Sequence, residues 1–333
     1  MPPGNGPRPR IEDVAARVGV STASVSLVLR NAPGPSAETR RRVLDAAGEL
    51  GYHPDSRARL LRSGRSRLLG VVFGIHHAFH ADLVTDLYTA ARETGYELAL
   101  SAVTPDRDEK DAIGSLLQDR CEALILLGPQ SPTARLAQLA SRLPVVVLAR
   151  GVRSAAVDVV RTADADGLRQ AVDHLVELGH RRIAHIDGGP APGAADRRRG
   201  YRDAMRAHGL DGVMLPGGLT ENEGAMAATA LLETDPRPSA VAVFNDRCAT
   251  GVLDVLHRAG VDVPGQLSVV GYDDSRLARL AHIDLTTVAQ DVETLTTLAV
   301  DRAIARLEHT PITHREQIVR PQLVIRSTTG PLR

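Results

Sequence analysis

IEDVAARVGVSTASVSLVLR, Ile11 to Arg30, carries two short helical patterns around one glycine. Ile11, Val14, Ala15 and Val18 recur at i, i+3, i+4 and i+7, one apolar stripe of a helix, with Glu12 and Asp13 in the first turn where the dipole favours acids. Gly19 ends that helix. Ser21 is placed to cap a second, on which Val25, Val28 and Leu29 face inward and Thr22, Ala23, Ser26, Leu27 and Arg30 are left for the other side. Two short helices joined by a tight glycine turn predict a helix-turn-helix, although the pattern alone suits a DNA reader and a plain helical hairpin equally. Further on, Ser36 can cap a third helix carrying Val43, Ala46, Ala47 and Leu50, with Gly51 closing it. The three make a small all-α headpiece.

Charge separates this head from the rest. The 333 residues have a formal net charge of zero, yet residues 1–67 hold 12 arginines and no lysine against six carboxylates, which leaves a net of −6 for residues 68–333. A basic head on an acidic body fits a module that meets phosphate and a body that does not. Cys121 and Cys248 stand apart with no CxxC, so neither a disulfide framework nor a zinc ribbon is indicated. MPPGNGPRPR is rich in proline and glycine and lacks an apolar run, which predicts a disordered tail over residues 1–9 and no secretory signal. No stretch reaches the length of a membrane span, so a cytoplasmic, nucleoid-associated protein is expected.

From Leu68 the chain alternates short β-branched or apolar runs with helix-period segments, the pattern of parallel α/β architecture. Strand-like runs begin at Leu68, Tyr96, Glu122, Pro144, Arg182, Ala240 and Leu267, and helix-like segments include Asp82 to Thr94, Asp166 to Leu178, Arg198 to His208 and Thr250 to Arg258. Ligands of open α/β sheets bind beyond the carboxyl ends of strands. The residues to examine there are His76 to His80, Asp164 and Asp166, Asp196 to Arg199, Asn245 and Asp246, and Tyr272 to Asp274.

DVAARVGVSTASVSLVL, TRRRVLDAAGELGYHP and ARLLRSGRS resemble, in order and spacing, the headpiece and hinge of the lac-repressor (LacI/GalR) family of bacterial transcription regulators. VELGHRRIAHIDG, VFNDRCATGVL, LSVVGYDD and LTTV are similar to the family's effector domain. The resemblance implies a helix-turn-helix headpiece over residues 10–54, a hinge helix and linker over 55–67, and an effector-binding and dimerisation domain over 68–330. That last domain would be bilobed α/β, like type I periplasmic sugar-binding proteins. One lobe would comprise residues 68–162 and 292–320, the other 163–291 and 321–330.

By the same resemblance the second helix lies in the major groove, so that Thr22, Ala23, Ser26, Leu27, Arg30 and, from the hinge, Arg57 meet operator DNA. Leu61 would be the wedge pushed into the minor groove, with Leu60 the competing candidate. Where the family often has arginine, this chain has Leu27, which cannot donate a hydrogen bond. Readout should then shift to apolar contact of Leu27 and Ala23 with thymine methyls and to hydrogen bonds from Thr22 and Ser26.

Arg197, three residues before Gly200, matches the family's ligand-forking arginine, a role suited to its rigid, permanently charged donors. Asn245 and Asp273 match effector-bonding positions, and Asp166 and Gln290 are further carry-overs. His77 and Phe79 are expected to line the mouth. Arg197 and Asp273 could instead simply pair across the cleft. His76 and His80, four apart, could share a helical face as zinc ligands, but no nearby Glu or Cys completes a set, so no metal and no cofactor is expected. The chain has no tryptophan and three phenylalanines, a poor supply of stacking platforms.

The expectation is a homodimeric regulator, acting as a repressor on a pseudopalindromic operator and switched by a sugar or other small polar metabolite. No leucine-heptad tail follows to indicate a tetramer. Two rivals share the α/β pattern. A Rossmann-type enzyme would need a phosphate-binding loop, but GGPAPG from Gly188 lacks GxGxxG spacing; a stand-alone binding protein would need an export signal.

Overall fold

The computed structural model describes residues 9–30, 32–52 and 65–332. The disordered tail, apart from residue 9, lies outside the described residues. So does the hinge helix up to residue 64, and with it Arg57, Leu60 and Leu61. The chain divides into two compact units, Met1–Ser66 and Arg67–Arg333.

The first unit is three helices, α1 (Ile11–Val18), α2 (Thr22–Leu29) and α3 (Ala37–Leu50). Gly19 closes α1 at φ 73°, a left-handed conformation that costs glycine nothing. The Ser21 and Ser36 hydroxyls accept from the backbone N–H groups of Ser24 and Thr39, capping α2 and α3. Val14, Ala15, Val18, Val25, Val28, Val43, Ala46 and Ala47 form the core, with Ile11, Leu29 and Leu50 packed on it. Arginines finish the frame: Arg42 donates to the Val18 carbonyl at 2.7 Å and Arg40 to that of Ala32 at 2.8 Å, satisfying carbonyls at and just beyond the helix ends.

The second unit holds two six-stranded sheets. One is built from β1 (Leu68–Gly74), β2 (Glu97–Val103), β3 (Ala123–Leu127), β4 (Val145–Leu148), β5 (Asp158–Thr162) and β11 (Glu316–Val319), in the order β11-β5-β4-β3-β1-β2. The other comprises β6 (Ile183–Ile186), β7 (Val213–Leu215), β8 (Ala240–Val243), β9 (Ser268–Asp273), β10 (Thr286–Ala289) and β12 (Gln322–Val324), ordered β12-β10-β9-β8-β6-β7. Every pairing is parallel except β10 with β12. The chain therefore passes between lobes three times, after Thr162, after Ala289 and after Val319. Helices cover both sheets: α4 (Ala78–Glu93), α5 (Glu109–Gln118), α6 (Thr133–Ala140) and α11 (Val292–Leu307) belong to the first lobe, and α7 (Asp164–Glu177), α8 (Ala194–Ala207), α9 (Glu221–Glu233) and α10 (Asp246–Arg258) to the second.

Continuous apolar runs such as ALILL in β3 are buried on both faces, as a parallel sheet covered by helices requires. In the second lobe α9 and α10 touch backbone to backbone. A Cβ on Gly224 would lie 2.0 Å from the Cys248 carbonyl oxygen, and one on Gly251 would lie 1.9 Å from that of Glu221.

Candidate functional site

In the first unit, capping by Ser21 fixes where α2 begins, and burial of Val25 and Val28 fixes which way it faces. Thr22, Ala23 and Arg30 are consequently exposed and Ser26 and Leu27 half-buried, forming one surface. The Arg30 Nε donates back to the Ser26 carbonyl at 3.0 Å, which lays the guanidinium along its own helix. The surface offers a hydroxyl, a methyl, a branched apolar side chain and a cation, a mixed set able to meet base edges and phosphate.

In the second unit, His77, Phe79, Arg197, Asn245, Asp273 and Gln290 all line one small chamber between the lobes, together with His80, Asp164 and Phe244. Asp166 does not belong there. It points outward and pairs with Arg169 at 3.0 Å, half-exposed. Two residues along a helix turn the side chain by about 200°, so only one of Asp164 and Asp166 can face the chamber. Asp164, the first residue of α7, takes that place; the DxD pattern alone did not say which.

Arg197 is the centre of the chamber. Its Nε donates to Asp164 Oδ1 at 2.8 Å and one terminal nitrogen to the Phe244 carbonyl at 2.6 Å, while the other stands 3.7 Å from Asp273. The guanidinium carbon lies over the Tyr272 ring at 3.5 Å and over that of Phe244 at 4.6 Å, a cation–π contact with each. Asp164 and Asp273 both belong to the second lobe, like Arg197, so this pairing does not cross the cleft. Burial by itself would lower the guanidinium's pKa, but Asp164, Tyr272 and Asp273 hold it above its ordinary value. Burial also raises Asp164, against the pull of Arg197, and it pushes Asp273 to about 8.

The other members are tied to scaffolding. Asn245 caps α10, accepting from Cys248 N–H at 2.7 Å and donating to the Leu219 carbonyl. Gln290 donates to Asp273 at 2.8 Å and accepts from the Thr162 hydroxyl, which links the chamber to two of the three interlobe passages. His80 accepts from Gly74 N–H at 3.0 Å, and burial lowers it to about 3, so its ring is neutral at physiological pH. That Nδ1 lone pair is already used, and the ring stacks on His77 at 4.5 Å. Among the described residues no group of three or more His, Cys, Asp or Glu could hold a metal ion.

The chamber encloses only about 50 Å³. Small-molecule sites measure several hundred Å³, so Arg197 and its neighbours reach only the tip of a ligand unless the lobes part. The lobes touch at both rims: Arg247 donates to the His76 carbonyl at 3.2 Å, and Arg161 faces Asp196 at 3.7 Å.

Asp273 makes stability depend on pH. Its folded-state pKa of about 8 exceeds the unfolded value of about 4, so its contribution is full below pH 4 and is lost as pH rises towards 8. Chemical denaturation should show the wild type losing up to about 1.4 kcal/mol per pH unit more than Asp273→Asn in this window. Parallel profiles would mean that Asp273 is ionised throughout.

Residues 10–55 match the family model described as bacterial regulatory proteins, lacI family, and residues 172–329 match the periplasmic binding protein-like domain. The chain is 34% identical to the HTH-type transcriptional regulator GalR of Escherichia coli, over 96% of this chain and 95% of that one. It is 31% identical to the ribose operon repressor of Escherichia coli, over 96% of this chain and 99% of the relative. Among solved structures, the lac repressor dimer bound to operator and the anti-inducer ONPF shares 28% identity, with a TM-score of 0.81 over 97% of this chain and 100% of that chain. A LacI transcriptional regulator from a Rhodococcus species shares 51% identity, with a TM-score of 0.76 over 80% of this chain and 99% of that chain. No helix among the described residues is long and apolar enough to cross a membrane.

Proposed function

Because the chain belongs to the lacI family of bacterial regulatory proteins, we propose that it is a cytoplasmic transcriptional repressor, acting as a homodimer on a pseudopalindromic operator and released or tightened by a small polar effector between its lobes. The observation that carries this reading is the capped α2, with Thr22, Ala23 and Arg30 exposed over a core of valines. Residues 10–54 serve as the headpiece, residues 55–67 as the hinge, and Leu61 as the wedge at the operator centre. Exposed apolar side chains of the body, Tyr88 and Leu100 on the first lobe and Met226 and Leu280 on the second, are available to the second copy. The enzyme reading falls with membership of a family of regulators.

An effector entering the cleft meets Arg197, Asp273, Asn245 and Gln290 from the second lobe and its border, and His77 and Phe79 from the first. It acts only as far as it binds one lobe arrangement more tightly than the other. A sugar is the expected class: relatives include the ribose operon repressor and a solved regulator in complex with cellobiose.

Selection of bound duplexes from a random pool tests the reading. An inverted repeat with half-sites about one helical turn apart should emerge. Leu27→Ala should then relax preference at one A·T position by about 1 kcal/mol while leaving the other positions in place. A pool that yields no symmetric site would end the proposal.

A further inference from the structure

Beside the chamber at Arg197 lies a second, much larger compartment between the lobes. It measures about 750 Å³ and shares Pro192 with the first. Its walls carry Arg150, Arg153, Arg161 and Arg199 against two carboxylates, Asp196 and Glu316, a surplus of positive charge inside a body whose overall charge is negative. The cations differ in commitment. Arg150 is spent on the backbone carbonyls of Pro129 and Ser131, and Arg161 donates to Glu316 at 2.6 Å. Arg199 shares Asp196 with Arg161 and remains 58% exposed. Arg153 is exposed and has no ion pair among the described residues.

An independent observation points the same way. The fourteen-residue α8 begins at this compartment: Gly193, Ala195 and Asp196 line it. No side chain caps the helix, and Gly193 enters it at φ 80°. Asp196 in the first turn and the Ala191 carbonyl, which accepts from Ala194 N–H at 3.1 Å, answer part of this terminus; the rest of its dipole, set among arginines, favours an oxyanion. Aromatic stacking, the usual means of holding a neutral sugar, has little to offer here. No aromatic residue lines the compartment; in the inner chamber Phe244 gives one face to Arg197, which leaves Phe79 as the other phenylalanine there.

We propose that the outer compartment is an oxyanion site and that the effector is a small polar molecule bearing a phosphate or carboxylate group. Its anionic end lies between Arg153, Arg199 and the start of α8, and its hydroxyls reach towards Arg197. This rests on the interlobe cleft being the effector site. Phosphate and carboxylate share the recognition chemistry, forked charge-assisted hydrogen bonds from guanidinium groups, and differ in charge and reach.

The test is thermal unfolding of the full chain with inorganic phosphate or malonate, each against chloride at matched ionic strength and pH. Saturable stabilisation beyond chloride is expected, and the stronger of the two anions names the source. Arg153→Gln and Arg199→Gln should each raise the half-saturating concentration by about tenfold, and their midpoints in chloride alone report folding. Arg258→Gln, an exposed arginine outside the compartment, is the control and keeps the full response. No saturable effect of either anion would overturn the proposal. So would an effect unchanged in both variants, since it would assign the anion to the basic headpiece. A neutral sugar that releases operator while both anions are inert would overturn this inference and leave the regulator reading intact. Failure to select any operator would strike the regulator reading alone.

Discussion

Arg197→Ala is expected to destabilise the body by about 3–5 kcal/mol and to flatten the effector dose curve. The residue is 5% exposed; its removal strands the Asp164 carboxylate, which it meets at 2.8 Å, and takes the cation away from Asp273, both already raised by burial. Breaking a buried ion pair from one side costs this much because the remaining charge keeps its desolvation penalty and loses its compensation. The sign with pH follows. Without the guanidinium both carboxyls rise further, so the variant binds protons more tightly when folded, and its deficit against wild type is smallest at low pH and grows as pH increases. Urea unfolding at pH 5.5 and pH 8 reads this, with operator release by effector measured in parallel. A deficit under about 1 kcal/mol at both pH values would mean that Asp164 and Asp273 do not need Arg197.

Gly251→Ala is expected to cost about 3 kcal/mol, at the upper end for an added methyl group, because the new carbon would fall on backbone rather than on a side chain that could rotate away. Gly224→Ala meets the same obstacle from the opposite helix, at the Cys248 carbonyl. The crossing also aims the site. Arg247 and Glu221 clamp the two helices at 2.7 Å, and Asn245 caps the α10 that they hold. Prising the helices apart should therefore weaken effector binding as well as stability, and denaturation together with ligand titration of each variant separates the two losses. Destabilisation with unchanged effector affinity would detach the crossing from the cleft.

Much of this architecture could be read from residue order, and the misses share a cause. Runs such as LLGVVFG and EALILLG announce strands because a sheet covered on both faces needs unbroken apolar sequence. Strands of three to five residues at sheet edges, such as VML at β7 and QLV at β12, carry too little pattern to register. Helix starts read late. The apolar period suggested beginnings at Asp82, Asp166, Arg198 and Thr250, whereas the helices begin at Ala78, Asp164, Ala194 and Asp246. Their first turns overhang the cleft and hold polar groups, so periodicity appears only once the helix reaches the sheet. Of the pair Asp164 and Asp166, the period therefore favours the second, although the first faces the chamber. Arg197 stood out because of its neighbours in sequence, while Tyr272 and Phe244, which grip it, reach it only through the fold.

The hydrogen bond from Thr162 to Gln290 ties together two of the three passages between the lobes, and Gln290 in turn holds Asp273. A directional bond of this kind fails within a fraction of an ångström. A load placed on Asp273 is therefore borne by both of those crossings at once rather than by one alone.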